Sequence, residues 1–200
     1  MNSQASSASR KEIVLTGFGG QGIVLAGQIV GKASSLIDHR ETTLTQSYGP
    51  EARGGACSAQ VIISDAPIHY PYVRHPDILV CMSQGGYEKY AGLLKESGTL
   101  IVDQDLVQPV EPCCGDFFSI PATRLAEELG RKMMANIVML GFFTAVTEAV
   151  SADAARKTVA GSVPKGTEDS NVRAFGKGFD FGLATLKGRR KKAAGMKGAS

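Results

Sequence analysis

Residues 11–22, KEIVLTGFGGQG, place a short apolar run directly before a glycine-rich segment. The consecutive apolar residues 13–15 are typical of a strand that is buried on both faces of a parallel sheet. After the glycines, apolar residues recur at three- and four-residue steps as far as Ile37, which is the period of a helix covering such a sheet. A strand, a glycine turn and a helix are therefore predicted to open an α/β fold.

The remainder of the chain predicts more strands and then helices. The predicted strands are residues 42–47, 56–64, 77–83, 98–103 and 116–120. Because residues 48–55 are too few for a parallel crossover, the first two of these strands should be antiparallel or not adjacent. Central strands, buried on both faces, are expected at residues 13–15, 79–81 and 100–102.

The C-terminal half is predicted to be mainly helical. The predicted helices are residues 84–96, 122–130 and 134–150, a helix that begins near Ser151, and a last helix after Pro164. Three glycines interrupt the last of these, so packing rather than helix propensity must hold it. The predicted fold class is α/β: a three-layer, doubly wound, Rossmann-like fold with a mostly parallel mixed sheet and C-terminal helices.

The 200 residues suit a single domain, with a tail at each end. Residues 1–10 are predicted to be a flexible tail, residues 11–186 the domain, and residues 187–200 a flexible basic tail. The basic tail contains six Lys and Arg residues and no acidic residue, whereas the rest of the chain is mildly acidic. No aromatic residue in the tail is available to stack on bases, so a nucleic-acid partner is not expected.

The sequence indicates a cytoplasmic protein without a membrane partner. Its apolar runs are much shorter than the roughly 18 residues that span a bilayer, and its first ten residues lack the features of a secretory signal. Cys57, Cys81, Cys113 and Cys114 form no C-x-x-C pair, which suits neither a disulfide framework nor an iron–sulfur cluster. The cysteines are therefore interpreted as reduced thiols.

Residues 17–22, GFGGQG, match G-x-G-x-x-G in the context that such a motif needs, after a strand and before a helix. The free N–H groups and the positive end of the helix favour an anion there. A dinucleotide site also needs an acidic residue at the end of the second strand, where this chain has Thr45, Gln46 and Ser47. This absence disfavours a dinucleotide site, so three interpretations remain: a dinucleotide site, a site for another anionic ligand, and a tight packing turn without a ligand.

Residues 48–55 form a second unusual segment, in which Arg53 is followed by Gly54 and Gly55. An arginine fork beside permissive glycines can bind a phosphate or a carboxylate, but an ordinary surface turn with solvated Glu51 and Arg53 fits equally well. Asp103 and Asp105 follow a predicted strand, as ligand groups do in α/β sheets and as turn formers also do. The histidines and serines lack the setting of a catalytic or metal site.

Four segments together carry a family resemblance. They are GFGGQGIVLAGQIVGKA, TTLTQSYGPEARGGACSAQVIIS, DILVCMSQGGYEKY and ANIVMLGFFTAV, in this order. In sequence and spacing they resemble the gamma subunit of 2-oxoacid:ferredoxin oxidoreductases, over residues 11–186. The second segment is the most diagnostic, because S-Y-G-x-E-x-R-G-G after a threonine-rich strand is rare, whereas G-x-G-x-x-G is common.

The resemblance implies one part of an enzyme that decarboxylates a 2-oxoacid with coenzyme A, giving an acyl-CoA, CO₂ and reduced ferredoxin. Alpha and beta subunits would hold thiamine diphosphate with Mg²⁺, and other chains or domains, including a ferredoxin-like delta subunit, would hold the iron–sulfur clusters. This chain alone would bind no iron, flavin or thiamine diphosphate and would not oxidise a 2-oxoacid. The compact chain resembles those of 2-oxoglutarate enzymes, so 2-oxoglutarate is the expected substrate.

The resemblance also implies site residues near coenzyme A, without a catalytic residue or a metal ligand in this chain. A turn facing a ligand or a partner subunit is expected at Gly19, Gly20, Gln21 and Gly22, and a loop at the edge of the active site at Tyr48, Glu51, Arg53, Gly54 and Gly55. Two alternatives remain from the residues themselves: a free-standing dinucleotide-binding oxidoreductase, and a non-catalytic scaffold subunit.

Overall fold

A computed structural model describes residues 9–48, 56–110 and 115–197. The described part contains the six strands β1 Arg10–Phe18, β2 Glu41–Ser47, β3 Ala56–Ser64, β4 Ile78–Cys81, β5 Thr99–Asp103 and β6 Asp116–Ile120. It contains the α-helices α1 Ile23–Lys32, α2 Gln84–Tyr90, α3 Ala122–Glu128, α4 Ala135–Thr147, α5 Ala152–Ser162 and α6 Glu168–Lys197.

The six strands form one mixed sheet in the order β2-β3-β1-β4-β5-β6. Strands β1, β4, β5 and β6 run parallel, with Thr16 opposite Cys81 across the β1–β4 pair. Strand β3 is antiparallel to both of its neighbours, β1 and β2. The predicted mostly parallel mixed sheet is confirmed, and the strands on either side of residues 48–55 are antiparallel neighbours.

Helices cover both faces of the sheet, which gives the predicted three layers. One core lies between the sheet and a helical layer that contains α1 and α4, and it receives Ile13 and Leu15 from β1. The smaller core on the other face receives Val14 and packs against Tyr87 and Tyr90 of α2. Residues 13–15, 79–81 and 100–102 are all buried, as predicted for central strands.

Helices α4 and α6 pack at unusually short range because glycines lie at their contact. A Cβ placed on Gly178 would overlap the carbonyl oxygen of Val138, and one on Gly141 would overlap that of Phe175. Gly182 would bring a Cβ within 2.6 Å of the Ala145 Cβ. Close packing against α4 therefore holds the glycine-containing helix α6, as the sequence predicts.

Several helices end earlier than the sequence predicts. The helix predicted to run to Ile37 becomes a π-helical turn at Ala33–Ile37. The segment 84–96 is helical only through Tyr90 and is followed by a 3₁₀ turn, after which the Lys95 N–H donates to Pro76 O, just before β4. Helix α4 ends before Glu148, whose left-handed backbone (φ 50°) cannot continue it.

The ends of the predicted domain also differ from the structure. Arg10 already belongs to β1, so the predicted N-terminal tail includes the first residue of a strand. Helix α6 continues through residues 187–197, whereas the sequence predicts a flexible tail there. Lys, Arg and Ala favour a helix, and Arg189 anchors this one by pairing with Asp116 on β6 (3.2 Å). Among the described residues, no helix combines the length and the apolar character that crossing a bilayer requires.

Candidate functional site

The candidate site lies at the carboxyl ends of β1 and β4, which are parallel neighbours in the middle of the sheet. From β1 the chain continues to β2 and β3, which lie toward one edge of the sheet. From β4 it continues to β5 and β6, which lie toward the other edge. Helix α1 follows β1 on one face, whereas α2 follows β4 on the opposite face. Doubly wound sheets bind ligands in the crevice at such a switch point.

The glycine turn between β1 and α1 is held by its own glutamine. Gly20 and Gly22 have φ angles of 95° and 71°, a region that favours glycine. The Gln21 side-chain oxygen accepts a hydrogen bond from the Phe18 N–H (2.7 Å), and its amide nitrogen donates to Met82 O (2.9 Å). The Gln21 side chain therefore ties the turn to the end of β4.

Helix α1 begins immediately after this turn. No side chain caps its first turn, and Gly22 is its N-cap residue. The Asn136 amide nitrogen, at the start of α4, donates to Gly22 O (3.0 Å), and a Cβ on Gly22 would overlap that nitrogen. The backbone N–H groups at this helix end and the helix dipole favour a negative charge.

A cleft of about 570 Å³ opens beside the glycine turn. Its lining includes Gly20, Gly22, Asn136, Arg131 and Met133. Arg131 is exposed and forms no ion pair with any described residue, and Met133 is 86% exposed. The cleft therefore combines an uncapped helix N-terminus, a guanidinium group and an exposed apolar side chain.

Only part of the second predicted loop falls within the described residues. Tyr48 is 67% exposed and hydrogen-bonds through its hydroxyl to the Gln46 side chain (2.9 Å). Ala56, where the described chain resumes, pairs with Phe18 at the end of β1, beside the glycine turn. The remaining predicted residues of this loop, Glu51, Arg53, Gly54 and Gly55, lie outside the described residues.

Asp103 and Asp105 at the end of β5 have structural partners. The buried Asp103 carboxylate accepts hydrogen bonds from the backbone N–H and the hydroxyl of Thr123 (2.9 and 2.6 Å) and from the Asp105 N–H (3.1 Å). Asp105 pairs with Arg124 (2.8 Å). These contacts join β5 to the start of α3. They favour a structural role of the two aspartates, as turn formers, over a role as ligand groups.

The described cysteines are poor nucleophiles. Burial raises the pKa of the Cys57 and Cys81 thiols above the ordinary range, so both remain neutral at physiological pH. Within residues 9–48, 56–110 and 115–197, no group of three or more His, Cys, Asp or Glu residues could hold a metal ion.

The position of β2 argues against a dinucleotide site. In a dinucleotide-binding fold the acidic residue that binds the ribose follows a strand parallel to β1 and next to it. Here β2 lies at the sheet edge, separated from β1 by β3, and the parallel neighbour of β1 is β4. β4 is followed by Met82, Ser83 and Gln84, none of which is acidic.

Arg131 and Asn136 are the site residues that the sequence reasoning missed. Asn136 lies in one of the four segments that carry the family resemblance, but 114 positions from the glycine whose carbonyl it contacts, and Arg131 lies in none of these segments. The only local signal is a polar residue at the start of the otherwise apolar segment ANIVMLGFF, in a helix that is predicted to be buried.

Comparisons with known proteins agree with the resemblance found in the sequence. The family model for pyruvate ferredoxin/flavodoxin oxidoreductases matches residues 12–181. The 2-oxoglutarate synthase subunit KorC of Methanocaldococcus jannaschii is 53% identical over 174 residues, covering 86% of this chain and 93% of that relative.

Two solved structures share this fold. The gamma subunit of a keto/oxoacid ferredoxin oxidoreductase from Geobacter sulfurreducens is 40% identical, with a TM-score of 0.76 over 87% of this chain and 99% of that one. The 2-oxoglutarate:ferredoxin oxidoreductase from Magnetococcus marinus, at 22% identity, has a TM-score of 0.78 over 88% of this chain and 31% of that one. On the family model and these close relatives, the chain belongs to the pyruvate ferredoxin/flavodoxin oxidoreductase family.

Proposed function

We propose that this chain is the gamma subunit of a 2-oxoglutarate:ferredoxin oxidoreductase complex. The complex decarboxylates 2-oxoglutarate, transfers the resulting succinyl group to the thiol of coenzyme A, and passes the electrons to ferredoxin. The 53% identity to a 2-oxoglutarate synthase subunit supports this substrate over other 2-oxoacids.

The chemistry is assigned to cofactors in the partner subunits. Thiamine diphosphate with Mg²⁺ belongs between the alpha and beta subunits, and the iron–sulfur clusters belong to other chains or domains, such as a ferredoxin-like delta subunit. The described part of this chain offers buried, neutral thiols and no cluster of metal ligands. Its contribution is therefore positioning and electrostatics. We place the complex in the cytoplasm, where thiols such as these stay reduced.

Coenzyme A is the ligand that the cleft beside the glycine turn fits best. Its phosphates carry the negative charge that a helix N-terminus and an arginine attract. The observation that carries this proposal is that Gly20 and Gly22, directly before α1, and Arg131 line one cleft. The predicted turn residues Gly19, Gly20, Gln21 and Gly22 belong to this site, with Gln21 acting through the turn that it holds. We propose that the edge of this site is formed by Tyr48, Glu51, Arg53, Gly54 and Gly55.

Purification of the native assembly through a tag on this chain tests the proposal. We expect native mass spectrometry to find this chain with alpha and beta subunits that carry thiamine diphosphate and iron. The assembly should reduce ferredoxin with 2-oxoglutarate only when coenzyme A is present, and at least about tenfold more slowly with pyruvate. A chain that purifies without partners, or that reduces a nicotinamide in the absence of coenzyme A, would show that the assignment is wrong.

A scaffold without ligand contact is the competing function for the same subunit. The two functions differ in how coenzyme A affects the stability of the assembly, because a ligand bound at the native site raises the melting temperature. A coenzyme A-dependent shift that is lost when Arg131 is replaced by Ala supports the ligand site. An equal shift in both assemblies favours the scaffold.

A further inference from the structure

The side chain of Asn136 contains an amide oxygen that lacks a hydrogen-bond donor. Asn136 is 3% exposed, and its Oδ1 is buried without a partner among the described residues. The orientation of the amide is fixed by its other atom, because the Gly22 carbonyl can only accept a hydrogen bond and therefore faces Nδ2 (3.0 Å). A buried amide oxygen destabilises the protein unless a donor reaches it, so this oxygen calls for a partner.

The residue that carries this oxygen lines the cleft beside the glycine turn. Gly22, the N-cap of α1, and Leu25, in the first turn of that helix, line the same cleft. Asn136 Oδ1 lies 3.6 Å from the position that a Cβ would take on Gly22, so it is close to the end of the helix. The first N–H groups of a helix have no acceptor within it. At this end of the cleft, the helix therefore supplies hydrogen-bond donors and Asn136 supplies an acceptor.

This combination distinguishes between the chemical groups of a ligand. Phosphate oxygens are acceptors, so a phosphate next to Asn136 would leave Oδ1 unpaired. A secondary amide accepts through its C=O and donates through its N–H, and it therefore matches both the helix end and Asn136. Coenzyme A carries such amides in its pantetheine arm. Its methylene groups can pack on the apolar side chains that line the same cleft, which include Leu25, Ile137 and Val163.

We propose that Asn136 Oδ1 accepts a hydrogen bond from an amide N–H of the pantetheine arm, an inference that rests on the function proposed above. The arm lies along the apolar part of the cleft, and the phosphates lie toward Arg131. Met133 and Met134 line the cleft with Asn136, and their unbranched side chains change rotamer to admit the amide. Asn136 is then a specificity-determining residue for coenzyme A, in addition to holding the turn.

Binding of the two halves of coenzyme A to the native assembly tests this contact. Phosphopantetheine carries the amides, whereas adenosine bisphosphate carries the base and no amide. In isothermal titration calorimetry, Asn136→Ala should weaken the binding of phosphopantetheine and of coenzyme A about three- to tenfold, and that of adenosine bisphosphate less than about twofold. Thr144→Ala is the matched control and should change none of them, since Thr144 is buried on the same helix but does not line the cleft.

A ligand analogue tests the same contact without a substitution in the protein. Phosphopantetheine with CH₂ in place of each amide N–H should bind the unsubstituted assembly about three- to tenfold more weakly than phosphopantetheine itself. Equal binding of the analogue would overturn the contact, and so would a loss in Asn136→Ala that is the same for both halves or confined to adenosine bisphosphate. The proposed function survives these results if Arg131→Ala still weakens the binding of coenzyme A. If coenzyme A binds equally well to the Arg131→Ala and Asn136→Ala assemblies and to the unsubstituted one, the coenzyme A site and this contact are both wrong.

Discussion

The carbonyl oxygen of Gly22 accepts two hydrogen bonds, one from the Ala26 N–H and one from the Asn136 amide (both 3.0 Å). Gln21 fixes the other side of the turn through Phe18 and Met82. Two side-chain amides therefore hold the backbone that presents the N-terminus of α1. At the scale of single residues, the proposed site depends on preorganised backbone rather than on a reactive side chain.

Replacing Asn136 with Ala should loosen this turn. The loss of one buried hydrogen bond should lower the free energy of unfolding by about 1 to 2 kcal/mol. It should also raise the KM of the assembly for coenzyme A about three- to tenfold, because the helix end is no longer fixed. Thr144→Ala on the same helix removes a buried hydroxyl bonded to Leu140 O (2.8 Å) and is the control. A similar rise in KM for both variants would contradict a specific role of Asn136.

Arg53 belongs to the part of the proposed site that rests on sequence. Arg53→Ala should weaken the use of coenzyme A, or the contact with a partner subunit, while the chain stays folded. A lost charge-assisted contact is worth about 1.5 to 3 kcal/mol, which is roughly ten- to a hundredfold in apparent affinity. Steady-state kinetics against coenzyme A and the native mass of the assembly measure both effects. A change below about 0.5 kcal/mol in each would identify the loop as ordinary surface.

The sequence revealed the residues of the turn but not what holds them. GFGGQG lies between a strand and a helix, so the location of the turn follows from local pattern alone. The contacts of Gln21 with Met82 and of Asn136 with Gly22 span 61 and 114 positions, and they exist only after β4 and α4 have packed. Arg131 was missed for the same reason, since nothing in its local sequence indicates a cleft.

At the scale of elements, strands were predicted more accurately than helix ends. Runs such as residues 13–15 and 100–102 are apolar at every position, and only burial on both faces explains that pattern. After α2 ends at Tyr90, the Lys95 N–H donates to Pro76 O just before β4, which is a tertiary contact that local sequence does not reveal. The continuation of α6 beyond residue 186 likewise depends on the contact of Arg189 with β6.

The glycines of α6 provide a prediction about the contact between α4 and α6. Gly178→Ala should destabilise the chain by about 1 to 3 kcal/mol or more, because its methyl group would displace the Val138 carbonyl. Gly176→Ala is the matched control, since no atom outside the surrounding backbone of α6 lies within 4 Å of a Cβ there and alanine is the better helix former. Denaturant unfolding measures both. Equal effects of the two substitutions on the free energy of unfolding would show that the close approach of α4 and α6 does not restrict side-chain size at position 178.

At the scale of the whole molecule, the described residues form an α/β core, and the chain is predicted to depend on partners for its chemistry. The isolated chain should not oxidise 2-oxoglutarate and should contain no iron, flavin or thiamine diphosphate. Metal analysis and the visible absorption of the purified untagged chain test this prediction. A bound chromophore, or turnover by the chain alone, would contradict this prediction and would show that this subunit itself carries catalytic chemistry.

The central claim is that the cleft beside the glycine turn receives coenzyme A for the reaction of the complex. The most direct test is the steady-state rate of 2-oxoglutarate-dependent ferredoxin reduction as a function of coenzyme A concentration. Assemblies containing this chain, its Arg131→Ala variant, or the control Arg190→Ala, which lies elsewhere on the surface, are compared. We predict that Arg131→Ala raises the KM for coenzyme A about tenfold or more and changes kcat less than about twofold, whereas Arg190→Ala changes neither. An unchanged KM in the Arg131→Ala assembly would contradict the account.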